Sequence, residues 1–324
     1  MNPIHITHCP GTLAKGYSSY STTCLRRVFD GKKVHHILPY ASPASNQELF
    51  HENHQRISIS GVQEKFSMIL DKNKLRLVAE GEQGTHILKP VPQIGKNTEY
   101  MPANEHLTMQ IARQLFGVET AENALIFFES GLPAYITKRF DVQSDGSKHS
   151  TEDFATLLER TPQTHGKGFK YLGNYYELFN VLKKYVPAYK IEELKLYKLL
   201  LFNYLFSNGD AHIKNFSLIE TVQGDFKLSP AYDLLNTRIH IEDADFALEE
   251  GLLPKKFSQG TVRKQFELLA EKVGVSSKQV QTIFDAVLSK KEQVESLISA
   301  SFLNKKLKRN YLQAYLGRWN KLSK

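Results

Sequence analysis

Five polar side chains follow a hydrophobic run in the middle of the chain. They lie in the segment FSNGDAHIKNF and are Asn208, Asp210, His212, Lys214 and Asn215. A further acid, Asp233, comes later in LSPAYDLLN, after the pattern of a short hairpin. In phosphoryl transfer, one carboxylate orients or deprotonates the attacking hydroxyl, while an amide and a second carboxylate hold Mg²⁺ against a triphosphate. A simple capped turn at Asp210 is the alternative, but the later Asp233 favours phosphoryl transfer.

Kinases also need a lysine that neutralises the α- and β-phosphates of ATP, and an acid that fixes this lysine. The strand-like segment THILKP contains Lys89, and PANEH places Glu105 early in the next predicted helix. A single strand lysine is more often a solvated edge residue. Here the lysine, the helical glutamate, the Asp-x4-Asn segment and the last aspartate follow the order of a protein kinase. We therefore predict ATP as the phosphoryl donor.

The segment SISGVQEKF precedes the lysine strand, where a loop that covers the ATP phosphates is expected. With one glycine it matches neither the G-x-G-x-x-G nor the Walker A pattern, and a bulge or tight turn is the alternative for that glycine. Ser58 and Ser60 would point to the same side of a strand. A phosphate on either serine would repel ATP, so self-phosphorylation there is expected to switch the enzyme off.

The first part of the chain has the pattern of a small antiparallel sheet. Strands are predicted in ISISGVQEKFSMIL, KLRLVA, THILKP, ENALIFFES and LPAYITKRFDV. Helical spacing in PANEHLTMQIARQLFGV stops at Gly117, a typical helix C-cap. This part is thus predicted to be mainly a sheet with one embedded helix.

The second part is predominantly helical in pattern. STEDFATLLER predicts a helix with a Ser/Thr cap and acids in its first turn, and YYELFNVLKKYV and IEELKLYKLLLFNYLF predict two more. FSLIETVQGDFKLSP predicts a hairpin that turns at Gly224, and only helices are predicted beyond Gly260. We expect an α+β protein with a sheet-rich N-lobe, residues 1–142, and a helical C-lobe, residues 143–324.

Composition excludes several classes of protein. The chain has 324 residues, a net charge of +8 and no apolar run long enough to span a bilayer or form a signal peptide. We therefore expect a soluble, cytoplasmic protein without a membrane partner. Two isolated cysteines predict no disulfide framework, and the histidine pairs at 35–36 and 51–54 lack further ligands at metal-binding spacing. The positive charge suits a polyanionic partner such as a nucleotide, although the basic C-terminal run is also typical of a solvated helix face.

Taken together, the motifs SISGVQEKFS, THILKP, NE, KRFD, EDF, NGDAHIKNFS and LSPAYDLLNT resemble those of the HipA family of toxin serine/threonine kinases. The resemblance extends from about residue 55 to the C-terminus. It implies a two-lobed atypical protein-kinase fold, ATP and Mg²⁺ as cofactors, and a toxin that belongs to a toxin–antitoxin system.

The resemblance also implies roles for the matching residues of the C-terminal part. Asp210 would be the catalytic aspartate, and Asn215 and Asp233 would be the Mg²⁺ ligands. His212 and Lys214 would lie beside the transferred phosphate.

On the nucleotide side, the resemblance implies that Lys89, fixed by Glu105, contacts the ATP phosphates. The hinge strand AYITKRFD would contribute further ATP contacts, from Lys138, Phe140 and Asp141. The phosphate-covering loop would contribute Ser60, Gly61, Val62 and Gln63. In the family a serine of this loop is autophosphorylated, which ejects the loop; Ser58 matches that serine, and Ser60 is the second candidate.

One departure from the family concerns length. Full-length HipA proteins have a longer region ahead of the loop, whereas only about 55 residues precede it here. A shortened kinase of this kind is most similar to HipT of the HipBST systems. That similarity implies a HipS-like small antitoxin, a HipB-like partner through which DNA is bound indirectly, and an aminoacyl-tRNA synthetase, tryptophanyl or glutamyl, as the protein substrate.

Two other functions remain open from the sequence. A small-molecule phosphotransferase of the aminoglycoside type uses a similar G-D-x-x-x-x-N loop, but the SISG and KRFD motifs argue against it. A DNA-binding regulator is the other, because residues 266–284 have the spacing of a helix-turn-helix. Two packed helices joined by a capped turn explain this spacing equally well, and the family resemblance favours packing.

Overall fold

The computed structural model describes residues 6–43, 64–143, 145–242 and 244–324. The predicted phosphate-covering loop, with Ser58, Ser60, Gly61, Val62 and Gln63, lies outside these ranges, as do the histidines at 51 and 54. The chain divides into two compact units. The first comprises residues 1–110, 121–147 and 296–308, and the second comprises residues 111–120, 148–295 and 309–324.

Ten α-helices and eight strands lie in the described ranges. The helices are α1 Thr22–Val28, α2 Met101–Phe116, α3 Phe154–Leu157, α4 Pro162–His165, α5 Tyr176–Tyr185, α6 Tyr189–Leu205, α7 Val262–Val273, α8 Ser277–Leu288, α9 Lys291–Ala300 and α10 Lys305–Leu322. The strands are β1 Phe66–Asp71, β2 Lys74–Leu77, β3 His86–Pro90, β4 Asn123–Phe127, β5 Pro133–Lys138, β6 Thr151–Asp153, β7 Ser217–Glu220 and β8 Phe226–Leu228. None of these helices is long and apolar enough to cross a membrane.

The first unit is built on a five-stranded sheet in the order β2-β1-β3-β5-β4. Every neighbouring pair is antiparallel, as the alternating sequence predicted. One face of the sheet carries Phe66, Met68, Leu88 and Ile136, which pack with α1 and the surrounding N-terminal segment in a buried core. Burial of this apolar face supplies the main stabilisation of the unit.

Alternation along β3 gives the two faces of the sheet different chemistry. Leu88 pairs with Ile136 and points into the core, whereas Lys89 pairs with Tyr135 and points to the other face. The Lys89 ammonium lies 5.3 Å from the centroid of the Tyr135 ring. Because side chains alternate along β3, Lys89 lies on the face of the sheet that is opposite the core of Leu88.

The second unit is mainly helical and is organised around α6. Leu196, Leu200 and Leu205, like most of the later residues of this helix, are buried, and a helix that is hydrophobic on all sides belongs in a core. Phe202 and Phe206 stack at a centroid distance of 4.4 Å, and Phe206 stacks on Tyr315 of α10 at 5.1 Å. This packing fixes the point at which the polar segment after α6 begins.

One predicted helix is wrong in its first residues. Thr151–Asp153 form strand β6, which pairs with β7 in a three-stranded antiparallel sheet, β6-β7-β8. The helix begins only at Phe154, and its cap is Asp153, whose Oδ1 accepts a hydrogen bond from the Thr156 backbone N–H at 2.9 Å. Pairing with β7, in which Glu152 is opposite Leu218, 66 residues later, determines this strand conformation. Local spacing in the sequence carries no information about so distant a partner.

The predicted helix-turn-helix region consists of α7 and α8. Gly274 ends α7 with φ 77°, and Ser276 and Gln279 form a capping box at the start of α8. The five apolar positions are all buried: Phe266, Leu269, Val273, Val280 and Ile283. These helices therefore contribute to the core of the second unit, as the packing interpretation predicted.

Candidate active site

The polar segment after α6 is a tightly bonded loop. Ser207 has φ 53°, in the left-handed region, and its carbonyl oxygen accepts hydrogen bonds from the backbone N–H and the hydroxyl of Thr237, at 3.0 and 2.8 Å. The Thr237 hydroxyl oxygen also accepts a hydrogen bond from the Gly209 N–H at 3.0 Å. The chain therefore turns sharply out of the helix, and its hydrogen bonds with Thr237 hold that turn.

Asp210 lies at the centre of the loop and is partly exposed. The side-chain amide of Asn215 donates to the Asp210 carbonyl oxygen at 2.9 Å, and the His212 N–H donates to the same oxygen at 2.7 Å. The hydroxyl of Tyr171 donates to Asp210 Oδ1 at 2.7 Å. The five-residue spacing of Asp210 and Asn215 thus closes into one turn, with the carboxylate held by a tyrosine.

His212 is buried, with 7% of its surface exposed. Burial lowers its pKa below the usual value, the nearby Lys170 lowers it further, and Asp210 opposes the shift. Its Nδ1 has no hydrogen-bond partner among the residues that the structure describes. A neutral imidazole with an unpaired ring nitrogen can donate to or accept from a bound group.

Lys214 and Asp233 complete the candidate set of this unit. The Lys214 ammonium lies 3.8 Å from Asp153 Oδ2, and the Lys214 carbonyl oxygen accepts from the Tyr232 hydroxyl at 3.0 Å. Asp233 adopts φ 55°, and its carbonyl oxygen accepts from the side-chain amide of Asn208 at 3.3 Å. That hydrogen bond ties the segment of Asp233 to the loop of Asp210.

In the first unit, Lys89 and Glu105 form a buried ion pair. Nζ lies 2.7 Å from Oε1, and the two side chains are 5% and 4% exposed. Glu105 lies in the second turn of α2 and reaches Lys89 on the face of β3 opposite Leu88. The partner predicted for Lys89 is therefore its neighbour in the fold.

The residues predicted for the hinge lie at and just after the end of β5. Lys138 pairs with Asp30 at 2.5 Å, and Asp141 forms an ion pair with Arg139. Phe140, which lies between Arg139 and Asp141 in the sequence, is partly buried. These residues are adjacent in the first unit, and the roles in binding adenine and ribose remain predictions.

The donor set of the second unit suits a hard cation held together with a nucleotide. An amide and a carboxylate, Asn215 and Asp233, supply only oxygen ligands, as Mg²⁺ prefers, and the remaining ligands would come from phosphates and water. The described residues include no group of three or more His, Cys, Asp or Glu side chains placed to hold a metal by themselves. The chemistry therefore fits a nucleotide-dependent Mg²⁺ site better than a permanent metal centre.

A family comparison matches residues 57–294 to the HipA-like C-terminal domain. The chain belongs to this family. The match contains β3, α2 and the whole Asp210 loop, so every candidate described above lies on the shared HipA-like domain.

Relatives of this HipA-like chain have been named as putative kinases. One from Haemophilus influenzae is 25% identical over an alignment of 327 positions, which spans 94% of this chain and 92% of the relative. A putative kinase from Sinorhizobium fredii is 35% identical over 243 residues, but the match covers 70% of this chain and 56% of the relative. The chain thus spans nearly all of the first relative and little more than half of the second.

Solved structures establish the fold of the HipA-like chain. HipA of Shewanella oneidensis, solved in a complex with HipB and operator DNA, superposes with a TM-score of 0.64 at 19% identity and covers 82% of this chain and 65% of HipA. The Helicobacter pylori proinflammatory kinase CtkA superposes with a TM-score of 0.51 at 15% identity, covering 79% and 93%. The predicted α+β, HipA-like kinase fold is confirmed.

Sequence reasoning assigned no role to three side chains that contact the candidate residues: Tyr171, Asn208 and Asp153. Asn208 lies in the polar segment and Asp153 lies in the EDF motif. Both residues therefore belong to recognised motifs, but the motifs indicate no role for them. Tyr171 lies 39 residues before its partner, at the end of a short 3-10 helix in a stretch rich in glycine and lysine. No periodicity or spacing in the sequence points to it.

Proposed function

We propose that this HipA-like chain is an ATP- and Mg²⁺-dependent serine/threonine protein kinase. The observation that supports the proposal is the closed loop in which the Asn215 side-chain amide donates to the Asp210 carbonyl oxygen, because the proposed base and the proposed metal ligand then belong to one turn. Asp210 receives the proton of the acceptor hydroxyl, whose oxygen attacks the γ-phosphorus as the bond to ADP breaks. Asn215 and Asp233 hold Mg²⁺, which neutralises phosphate charge.

Other side chains take supporting roles in this proposal. His212, buried and neutral at pH 7, and the cationic Lys214 lie beside the transferred phosphate. Lys89, fixed by its ion pair with Glu105, neutralises the phosphates of ATP. Lys138, Phe140 and Asp141 contact the adenosine, and Ser60, Gly61, Val62 and Gln63 cover the phosphates. The N-lobe, residues 1–142, and the C-lobe, residues 143–324, are proposed as the two lobes of the kinase.

We further propose that the enzyme is a toxin of the short HipT type and that a cytoplasmic aminoacyl-tRNA synthetase, tryptophanyl or glutamyl, is its substrate. The Shewanella HipA structure contains HipB and DNA, which supports a HipB-like partner, and a HipS-like small antitoxin is part of the same proposal. Phosphorylation of Ser58 or Ser60 introduces a charge of nearly −2 beside the nucleotide and inactivates the enzyme.

The substrate is tested by incubating the protein with Mg·ATP and purified tryptophanyl-, glutamyl- and alanyl-tRNA synthetases. Phosphopeptide mapping and tRNA charging are then measured for each enzyme. We expect a phosphoserine or phosphothreonine and a loss of charging in one of the first two and none in the third. Phosphorylation of no synthetase, by a protein that still phosphorylates itself, would refute the substrate class and leave the kinase proposal standing.

A further inference from the structure

Tyr171 contacts two residues of the candidate catalytic loop at once. Its hydroxyl donates to Asp210 Oδ1 at 2.7 Å. Its ring meets the His212 ring edge to face, with a centroid distance of 5.4 Å and an interplanar angle of 74°. A hydroxyl that reaches the carboxylate of a proposed base is placed to affect the reaction directly.

The segment that carries Tyr171 is anchored on both sides. The Tyr171 carbonyl oxygen accepts a hydrogen bond from the Glu249 N–H at 2.9 Å, and the Leu172 carbonyl oxygen accepts one from the Arg160 guanidinium at 2.7 Å. Gly173 follows with φ 82°, and its carbonyl oxygen accepts from the Glu250 N–H at 3.1 Å. The tyrosine is therefore held by its backbone, independently of the hydrogen bond to Asp210.

The two oxygens of the Asp210 carboxylate have different surroundings. Oδ1 accepts the Tyr171 hydroxyl, whereas Oδ2 receives no hydrogen bond from any residue that the structure describes. A carboxylate can rotate about its Cβ–Cγ bond, and a hydrogen bond to one oxygen restricts that rotation. Tyr171 thus fixes which oxygen remains open toward an incoming hydroxyl.

We propose that Tyr171 is a positioning residue for phosphoryl transfer, which holds Asp210 so that Oδ2 faces the acceptor hydroxyl. This inference rests on the proposed kinase function. It assigns the tyrosine to the turnover step and not to nucleotide binding. The competing possibility is that the tyrosyl hydroxyl occupies the place of the acceptor and must leave before the substrate binds.

The test compares Tyr171→Phe with Tyr197→Phe. Each substitution deletes one hydroxyl from the second unit, and the Tyr197 hydroxyl donates to the Phe266 carbonyl oxygen at 3.1 Å in the core of that unit. The chain is incubated with γ-labelled Mg·ATP and a protein acceptor, and kcat and the KM for ATP are measured; where only its own serines accept phosphate, the rate constant of that single transfer replaces kcat. We expect Tyr171→Phe to lower kcat by about tenfold or more, the effect of losing a hydrogen bond to a charged group, with the KM for ATP unchanged. Tyr197→Phe is expected to keep the parental kcat.

Three results decide the matter. Equal kcat in the two variants would overturn the inference, and a higher kcat/KM for the acceptor in Tyr171→Phe would assign the tyrosine to the competing, blocking role. A parent that transfers no phosphate would refute the proposed function instead.

Discussion

Lys89 and Glu105 form an ion pair with 2.7 Å between Nζ and Oε1, although the lysine lies on a strand and the glutamate on the following helix. Both side chains are at least 95% buried. Two charges removed from water stabilise a fold only while each has its partner. The pair thus makes the position of the lysine depend on the helix.

The first prediction concerns this dependence. Lys89→Met removes the ammonium that lies 2.7 Å from the buried Glu105 carboxylate, and we expect the free energy of unfolding to fall by about 3–5 kcal/mol. Adding Glu105→Leu removes the buried carboxylate as well, so the double variant should recover most of the loss. Urea unfolding followed by circular dichroism measures both. A double variant no more stable than Lys89→Met would show that the pair is not an isolated charge couple.

The second prediction concerns the backbone of Asp233, which has φ 55°. Asparagine tolerates the left-handed region, whereas alanine in that region costs about 1–2 kcal/mol. Asp233→Asn should therefore fold with nearly the parental stability, and Asp233→Ala should lose about 1 kcal/mol more.

Both variants at Asp233 lack the proposed metal-binding carboxylate. We expect both to require much more Mg²⁺ than the parent for stabilisation by ATP in a thermal-shift titration. Parental Mg²⁺ dependence in Asp233→Asn would remove this residue from the metal site.

The third prediction concerns acid stability. His86 is buried in the first unit with Nε2 2.8 Å from the Val28 carbonyl oxygen, and burial lowers its pKa to about 4. In the unfolded chain an imidazole titrates near pH 6.5. Between these values the unfolded chain binds a proton that the folded chain does not, so this contribution to stability is complete above pH 6.5 and is lost as the pH falls toward 4.

The expected slope is about 1.4 kcal/mol per pH unit for each such histidine. His106, whose pKa burial lowers to about 3, should add to it. Unfolding free energies measured at intervals from pH 7 to 4 test the sum. Replacing His86 with glutamine should flatten the pH dependence even if stability at pH 7 falls; an unchanged slope would contradict the assignment.

Much of the fold follows from local patterns in the sequence. The strand around Lys89, the helix that ends before Gly117 and the hairpin that turns at Gly224 are found where alternation, helical spacing and glycine predicted them. Each of these is determined by residues within one element. The order of lysine, glutamate and the Asp-x4-Asn loop also follows from the chain itself.

Long-range contacts could not be predicted in this way. Thr151 is in a strand because it pairs with Ile219. Local spacing does not report this distant partner, and the helix predicted from it at Thr151 is wrong. Tyr171 contacts Asp210 because the intervening segment folds back, and Asp153 approaches Lys214 for the same reason. A single sequence contains no signal for such pairs, so the contacts of Tyr171 and Asp153 with the candidate residues could be found only in the structure.

The central claim is that Asp210 is the base of a kinase, and it is tested most directly by phosphopeptide mass spectrometry of three proteins expressed alone. These are the parent, Asp210→Asn and Asp285→Asn, the last being a matched change at an exposed position on α8. We predict phosphate on Ser58 or Ser60 in the parent and in Asp285→Asn, and none in Asp210→Asn, with all three equally folded. Equal phosphorylation of Asp210→Asn, or no phosphate in any of the three together with no stabilisation by Mg·ATP, would contradict the claim.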